Sequence, residues 1–576
     1  MAPGPRRYAV SRPSWFVGAD GSLVSRALGV VRLSLLALAI GQGLVANAFA
    51  TASLLPYVIS LVVTGGILGS SLLPQLLPQY LTAGDEVADP TGSGGPDERD
   101  RRRVFGRPRI DRGLALVLGG LLLVTLLCIV GAGLLVRTLG SGLTGSLGEL
   151  TTAFAAITLA QVFLYGICGF LSRVLLGRLR TGALGWAPAA GELIGIAGQL
   201  VFLQLFQGHV SSAEWTREMV WWLAGTTTAG IAVQALLLAF AVWRSGPGER
   251  PRSAVPVPST ASWSRLLGWR SATVLVTVAS YVVASQVMWQ ATGYDEASKG
   301  PDQPFVAGLA ILVNALAVVL LPHALLARPI LGAVHRRLAA AVQADDRPAA
   351  RSRFLAGLTL PAVVTIPASI ALVVFALPIM GLLFTSRDPA EVLASATVLA
   401  CLAPSLFPMA IALLGRRVCE ALGAGRAAAG LSTVLAVTSI CVSIIAGFIR
   451  PEWTTPVVAM GLVLGNALAA AYGIRVVRRT IGPVTMAGIV RTWVRILLSA
   501  AGGGYMAWGV VMVLTRALSA WGRFGYAVIL LVGGAVFAVV YLLVARLLRV
   551  EEVSIVAAPL VNRLDRRPPG RHRPGD

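Results

Sequence analysis

Lysine is all but missing from this chain, with Lys299 the only one. Charged residues of any kind make up 13% of its 576 residues, about half the share of a soluble globular protein. That scarcity excludes a solvated globular surface over most of the length. Cysteine is sparse as well. Cys128, Cys168, Cys401, Cys419 and Cys441 fall in or beside apolar stretches with no CxxC spacing. This excludes a disulfide scaffold and leaves buried apolar thiols as the reading. The four histidines, His209, His323, His335 and His572, show no ligand spacing, so neither a metal nor a cofactor is expected.

What the chain has instead is apolar sequence. Hydrophobic residues account for 56% and the mean hydropathy is +0.76. Runs of about 20 apolar residues, the length that crosses a bilayer as a helix, recur from end to end. They fall at 22–42, 49–78, 113–136, 150–172, 185–206, 220–243, 271–292, 303–326, 355–385, 391–414, 428–449, 455–474, 492–515 and 524–548. The fold class is an all-α polytopic membrane protein of about fourteen spans. The first run follows basic residues but carries no small-residue cleavage site, so it reads as a retained helix and not a signal peptide.

A formal net charge of +22 suggests nucleic acid only where the basic residues share one soluble face. Here they alternate with the spans. The N-tail, 79–112, 173–180, 244–270, 327–353, 416–426, 475–495 and the end from Arg546 hold 39 of the 48 Lys and Arg. By the positive-inside rule, these segments and both termini are cytoplasmic, and no nucleic-acid partner is expected.

The segments divide as follows. Residues 1–21 form a cytoplasmic tail and 22–243 a first group of six spans. A Pro/Ser-rich cytoplasmic linker covers 244–270, with 245–264 its most linker-like part. Residues 271–474 form a second group of six, 475–491 a cytoplasmic loop, 492–548 two further spans and 549–576 a basic tail. The loop at 84–112 is Gly/Pro-rich with charges of both signs and reads as mobile. The outer loops 137–149 and 207–219 are too short to hold a catalytic domain, so the chain does not read as an enzyme.

Ionisable residues inside spans are costly in lipid and therefore mark candidate sites. Arg26 lies about one turn into the first span and can snorkel to the interface. Arg32 lies about 15 Å in at 1.5 Å per residue, where snorkelling is harder. The two project about 120° apart on an ideal helix. A guanidinium stays charged when dehydrated and pairs bidentately with phosphate oxygens, so both residues suit an anionic, phosphate-bearing substrate. Glu192 is the one carboxylate well inside a span. It reads either as an ion-coupling group or as the partner of an Arg. Asn47, Gln161, Gln199, Gln234, Asn314 and Asn466 read as hydrogen-bonding glue between helices.

The order of short motifs adds to this. Ser25-Arg26-Ala27-Leu28-Gly29-Val30-Val31-Arg32 resembles the opening of the lipid II flippase family MurJ/MviN. Gly41-Gln42-Gly43, Ala46-Asn47-Ala48-Phe49, Leu55-Pro56, Gly66 and Pro74 follow at that family's spacing. Trp186-Ala187-Pro188, the run Gly225-Thr226-Thr227-Thr228-Ala229-Gly230 with Gln234, and Arg417 with Ala421-Leu422-Gly423-Ala424-Gly425-Arg426 also resemble it. So does Met460-Gly461-Leu462 with Gly465-Asn466. The resemblance runs from about residue 22 to 480. It implies two six-helix lobes around a central cavity plus two C-terminal helices, in the multidrug/oligosaccharidyl-lipid/polysaccharide exporter superfamily. It also implies a lipid-linked anionic substrate, an undecaprenyl-diphosphate peptidoglycan precursor. Cell-wall synthesis proteins and membrane lipids would be its partners, in the bacterial cytoplasmic membrane.

On that resemblance Arg26, Arg32, Asn47 and Ser60 are the expected substrate-binding residues. Glu192 is the expected coupling residue, and Arg417 and Arg426 form a cytoplasmic structural motif. The chain departs from the family at several points. It has Asn47 and Leu33 where the family has Asp, Ser60 where it has Arg, and Gly65-Gly66 where it has Glu-Gly. Residues 304–326 lack the family's cavity Arg. Of the family's cavity Arg set, Arg26 and Arg32 are matched. A transport-inactive homologue acting as a scaffold in peptidoglycan synthesis, or an exporter of another polysaccharide lipid, therefore stands beside the flippase reading.

Overall fold

A computed structural model describes residues 14–63, 112–140, 143, 145–178, 181–206, 214–245, 260–298, 305–384, 388–482, 486–550 and 553. Among these, all regular structure is helical and there is no strand. This is what a bilayer demands, because only a helix or a closed barrel satisfies its own backbone groups there.

In chain order the helices are α1 (Ser14–Ile40), α2 (Leu44–Ser60), α3 (Arg112–Val130), α4 (Ala132–Leu139), α5 (Gly145–Thr158), α6 (Gln161–Gly177) and α7 (Gly182–Leu205). Then come α8 (Arg217–Arg244), α9 (Thr260–Ser298), α10 (Leu309–Pro322), α11 (Arg328–Gln343), α12 (Arg347–Thr359), α13 (Ala362–Val374) and α14 (Ala376–Leu383). The remainder are α15 (Pro389–Leu402), α16 (Leu406–Ala421), α17 (Gly425–Ala446), α18 (Pro451–Ile481), α19 (Met486–Ala517) and α20 (Gly522–Leu547). Among the described residues thirteen stretches are long and apolar enough to cross a membrane, or fourteen if α3 and α4, bent by 73° at Gly131, make one broken span.

The helices outrun the apolar runs wherever nothing in the sequence stops them. Helix α1 starts at Ser14 and not near residue 22. Helix α9 starts at Thr260, inside the segment read as linker, because Pro258 is the last proline before it and a helix is free to form beyond. Helix α10 continues through a π-helical turn at His323–Ala327 into α11. Hydropathy marks only the apolar part of each helix. Of the segment 84–112, read as mobile, all but Arg112 lies outside the described residues, as do residues 246–259 of the linker and the tail from 554.

Two compact units make up the chain. The first comprises residues 1–314 and 443–455, the second 315–442 and 456–576. The first has an aromatic core. Phe154, fully buried, meets Phe49 and Trp215 edge-on at 5.3 Å, and Trp215 stacks on Phe202 at 5.8 Å. In the second, α11 and α12 pack on α16 through Leu331, Leu338, Phe354 and Leu414. Two hydrogen bonds tie α19 and α20 into it. The Trp493 indole N–H donates to the Leu358 carbonyl at 3.0 Å. The Tyr541 hydroxyl donates to that of Val363 at 2.9 Å.

Candidate functional site

Helices α1 and α7 run alongside each other in the same direction. Gly21 lies by Gly185, Gly29 by Glu192, and Arg32 by Gly195. The backbones come close because the residues at the crossing are small. A Cβ on Gly21 would sit 2.6 Å from the Gly185 carbonyl carbon. On its other side α7 meets α8 in the same way, where a Cβ on Gly191 would lie 2.6 Å from the Gly230 carbonyl oxygen. The Gly225–Gly230 run is therefore a packing surface for α7. Gln161 reinforces it by donating its amide to the Thr228 hydroxyl at 2.9 Å.

Within this seam the Arg32 Nε donates to Glu192 Oε2 at 2.6 Å, and both side chains are about one quarter exposed, 25% and 26%. Gly195 makes the room: a Cβ there would stand 2.7 Å from Arg32 Cδ. The pair compensates two charges that would each be costly alone at membrane depth. Its two Nη groups make no hydrogen bond among the described residues. Arg26, half-buried six residues earlier on α1, makes no ion pair or hydrogen bond among the described residues. The seam thus holds one compensated and one uncompensated guanidinium.

Tyr165 on α6 lies within electrostatic reach of Arg32, Glu192 and Tyr57. Tyr57 on α2 meets Tyr281 on α9 edge-to-face at 6.0 Å. Sequence reading passed over these tyrosines. A hydroxyl on a ring inside an apolar run was the available signal. Gln199, on the same face of α7 one turn beyond Gly195, is fully buried and its amide has no partner among the described residues.

Asn47 and Ser60 stand apart from the arginine pair in what they bind. Asn47 is 3% exposed and its Oδ1 accepts the Ala310 backbone N–H at 2.9 Å. The Ser60 hydroxyl is buried and donates to the Tyr57 carbonyl of its own helix at 2.8 Å. In this conformation Asn47 Oδ1 and the Ser60 hydroxyl each have a protein partner. Close to Asn47, Gln42 Oε1 accepts from Asn314 at 3.3 Å, and Thr51 accepts the Trp289 indole N–H at 2.9 Å. Arg417 and Arg426 belong to the second unit, at the α16–α17 turn. There Ala424 N–H bonds Cys419 O at 2.8 Å and Gly423 N–H bonds Glu420 O at 3.1 Å, the paired bonds of a Schellman cap. Arg417 acts electrostatically on His335 of α11.

Cavities occur elsewhere. One of about 540 Å³ opens between α5 and α8, lined by Glu149, Trp215, Arg217 and Trp221 among others. Another of about 560 Å³ is lined by Arg475, Arg478 and Arg479 on α18. Neither takes in any residue of the α1–α7 seam. Among the described residues no group of three His, Cys, Asp or Glu is placed to hold a metal ion.

The fold has counterparts in known proteins. A family model described as Lipid II flippase MurJ matches residues 36–533, beginning just past Arg32. The fold is similar to a solved lipid II flippase MurJ in an inward closed conformation, with a TM-score of 0.63 at 16% identity over 95% of this chain and 100% of the other. It is also similar to an inward-facing multidrug resistance MATE family transporter of the MOP superfamily, with a TM-score of 0.50 at 17% identity over 83% of this chain and 96% of the other. A MATE structure in complex with MaD3S gives 0.50 at 17% identity over 82% and 98%.

Proposed function

This chain belongs to the lipid II flippase MurJ family, and from that premise we propose that it moves a lipid-linked cell-wall precursor across the bacterial cytoplasmic membrane. The substrate is an undecaprenyl-diphosphate saccharide of the lipid II type. The mode is alternating access, in which two halves of the protein rock about a site near the midplane. Arg26 and Arg32 bind the diphosphate, because a guanidinium stays charged in a poorly hydrated site and matches phosphate geometry. The observation that supports this is the seam of α1 and α7. Arg32 there is partly open, and among the described residues its Nη groups make no hydrogen bond and Arg26 makes no ion pair. Both termini and the Arg-rich loops are cytoplasmic, on the loop charge bias.

A second reading has its own support. Asn47 and Ser60 are engaged by the protein, and Glu192 already compensates Arg32. Both fit a transport-inactive homologue that serves cell-wall synthesis proteins as a scaffold. Cells depleted of their own flippase and relying on this chain separate the two. Transport predicts growth, lost with Arg32→Ala at unchanged membrane abundance, with lipid-linked precursor accumulating. Full growth with Arg32→Ala and no accumulation overturns the transport role of the seam.

A further inference from the structure

The contact between Glu192 and Arg32 is one-sided. A single oxygen, Oε2, takes the Nε–H at 2.6 Å. A carboxylate that simply buried an arginine would be expected to match its fork with two parallel bonds. Here the end-on pair of Nη groups makes no hydrogen bond among the described residues, and the guanidinium side chain keeps about a quarter of its surface open, 25%. The stem passes over Gly195, where one added carbon would lie 2.7 Å from Arg32 Cδ. Glu192 is packed in turn, its carboxylate 3.6 Å from where a Cβ on Gly29 would lie. The arginine therefore lies with its stem against α7 and its Nε on Glu192, and its outer edge makes no hydrogen bond among the described residues.

We infer that Glu192 is a positioning residue that presents the Nη edge of Arg32 to the phosphate of the lipid substrate while its negative charge limits how tightly that phosphate is held. The inference rests on the transport reading above. A carrier must release what it binds, and two uncompensated arginines facing a diphosphate make a site that holds its ligand. With Glu192 in place the site has Arg26, which makes no ion pair among the described residues, and Arg32 as an oriented, partly neutralised donor. Phosphate binds end-on to Arg32 without displacing Glu192, in the order carboxylate, guanidinium, phosphate. Repulsion between the two anions across the guanidinium weakens the bound state. The carboxylate also spares Arg32 the cost of standing alone in the membrane when no substrate is bound.

The test uses the full-length purified chain with undecaprenyl diphosphate as the probe in detergent, and growth of flippase-depleted cells beside it. Glu192→Gln keeps an acceptor for Nε but removes the charge. It should bind the probe on the order of tenfold more tightly, the size expected from deleting one nearby unit charge at a partly open site, and should support growth less well at equal abundance. Glu192→Asp should stay nearer to wild type in both. Glu192→Gln binding equally or more weakly at equal abundance overturns the inference, since a carboxylate whose charge limits phosphate binding must tighten that binding when neutralised. Should Glu192→Gln fail to accumulate, Glu192→Ser removes the charge without adding bulk and is read in the same way. No binding by the wild-type chain strikes the transport reading itself, and so the premise, which is a different failure from an unchanged affinity in the variant.

Discussion

The side-chain oxygen of Asn47 accepts the backbone N–H of Ala310 at 2.9 Å, across 263 residues of sequence. Ala310 is the second residue of α10, so its N–H is one of the four at a helix start that no carbonyl within the helix reaches. Asn47 caps α10 from another helix. Asn47→Ala should leave that N–H buried and unmet, at a cost of about 1–3 kcal/mol, and should lower the apparent unfolding midpoint of the purified protein. Asn47→Asp should restore it, because an anionic acceptor also suits a helix N-terminus. Equal midpoints for Asn47→Ala and wild type would show that the cap contributes nothing.

The glycines of α7 should separate stability from function. A methyl on Gly191 would meet the Gly230 carbonyl oxygen at 2.6 Å, and one on Gly21 would meet the Gly185 backbone at the same distance. Backbone cannot step aside, so Gly191→Ala and Gly21→Ala should reduce membrane abundance. Gly195→Ala meets the Arg32 stem instead, which can move. It should accumulate normally yet impair growth of cells that depend on the chain. Quantitative immunoblotting beside growth tests this. Normal abundance for all three, or a selective loss of Gly195→Ala, contradicts it.

Gly423 takes φ +69° at the end of α16, a left-handed conformation that costs a side chain roughly 1 kcal/mol or more. Gly423→Ala should lower the unfolding midpoint while leaving substrate binding unchanged, since the turn belongs to the second unit and the α1–α7 seam to the first. A variant as stable as wild type would mean that the Schellman cap is not what keeps glycine at this position.

The topology rests on loop charge. A cysteine placed within 90–105, in a background where Cys441 is replaced, should resist membrane-impermeant reagents in intact cells and react after permeabilisation. Labelling from outside would reverse the orientation assigned to the termini.

Most of the fold was legible in the sequence, and for one reason. Lipid cannot hydrogen-bond the backbone, so every apolar run of spanning length has to be a helix. Composition alone located α7, α17 and α20 to within a few residues. Alternation of the arginines set the expected sidedness. The motifs around Gly225–Gly230 and Ala421–Arg426 were visible as residues, but the sequence did not show that they serve packing and capping. It also left Glu192 suspended between ion coupling and charge compensation. Only the tertiary structure brought it to Arg32, 160 positions away, and only there did Asn47 find its partner in α10. Hydropathy is a sum along the chain, and each residue contributes to it alone. Which two polar groups meet depends on how helices pack against one another, and at α1, α7 and α8 that depends on a few glycines whose lack of a side chain brings distant residues within bonding distance.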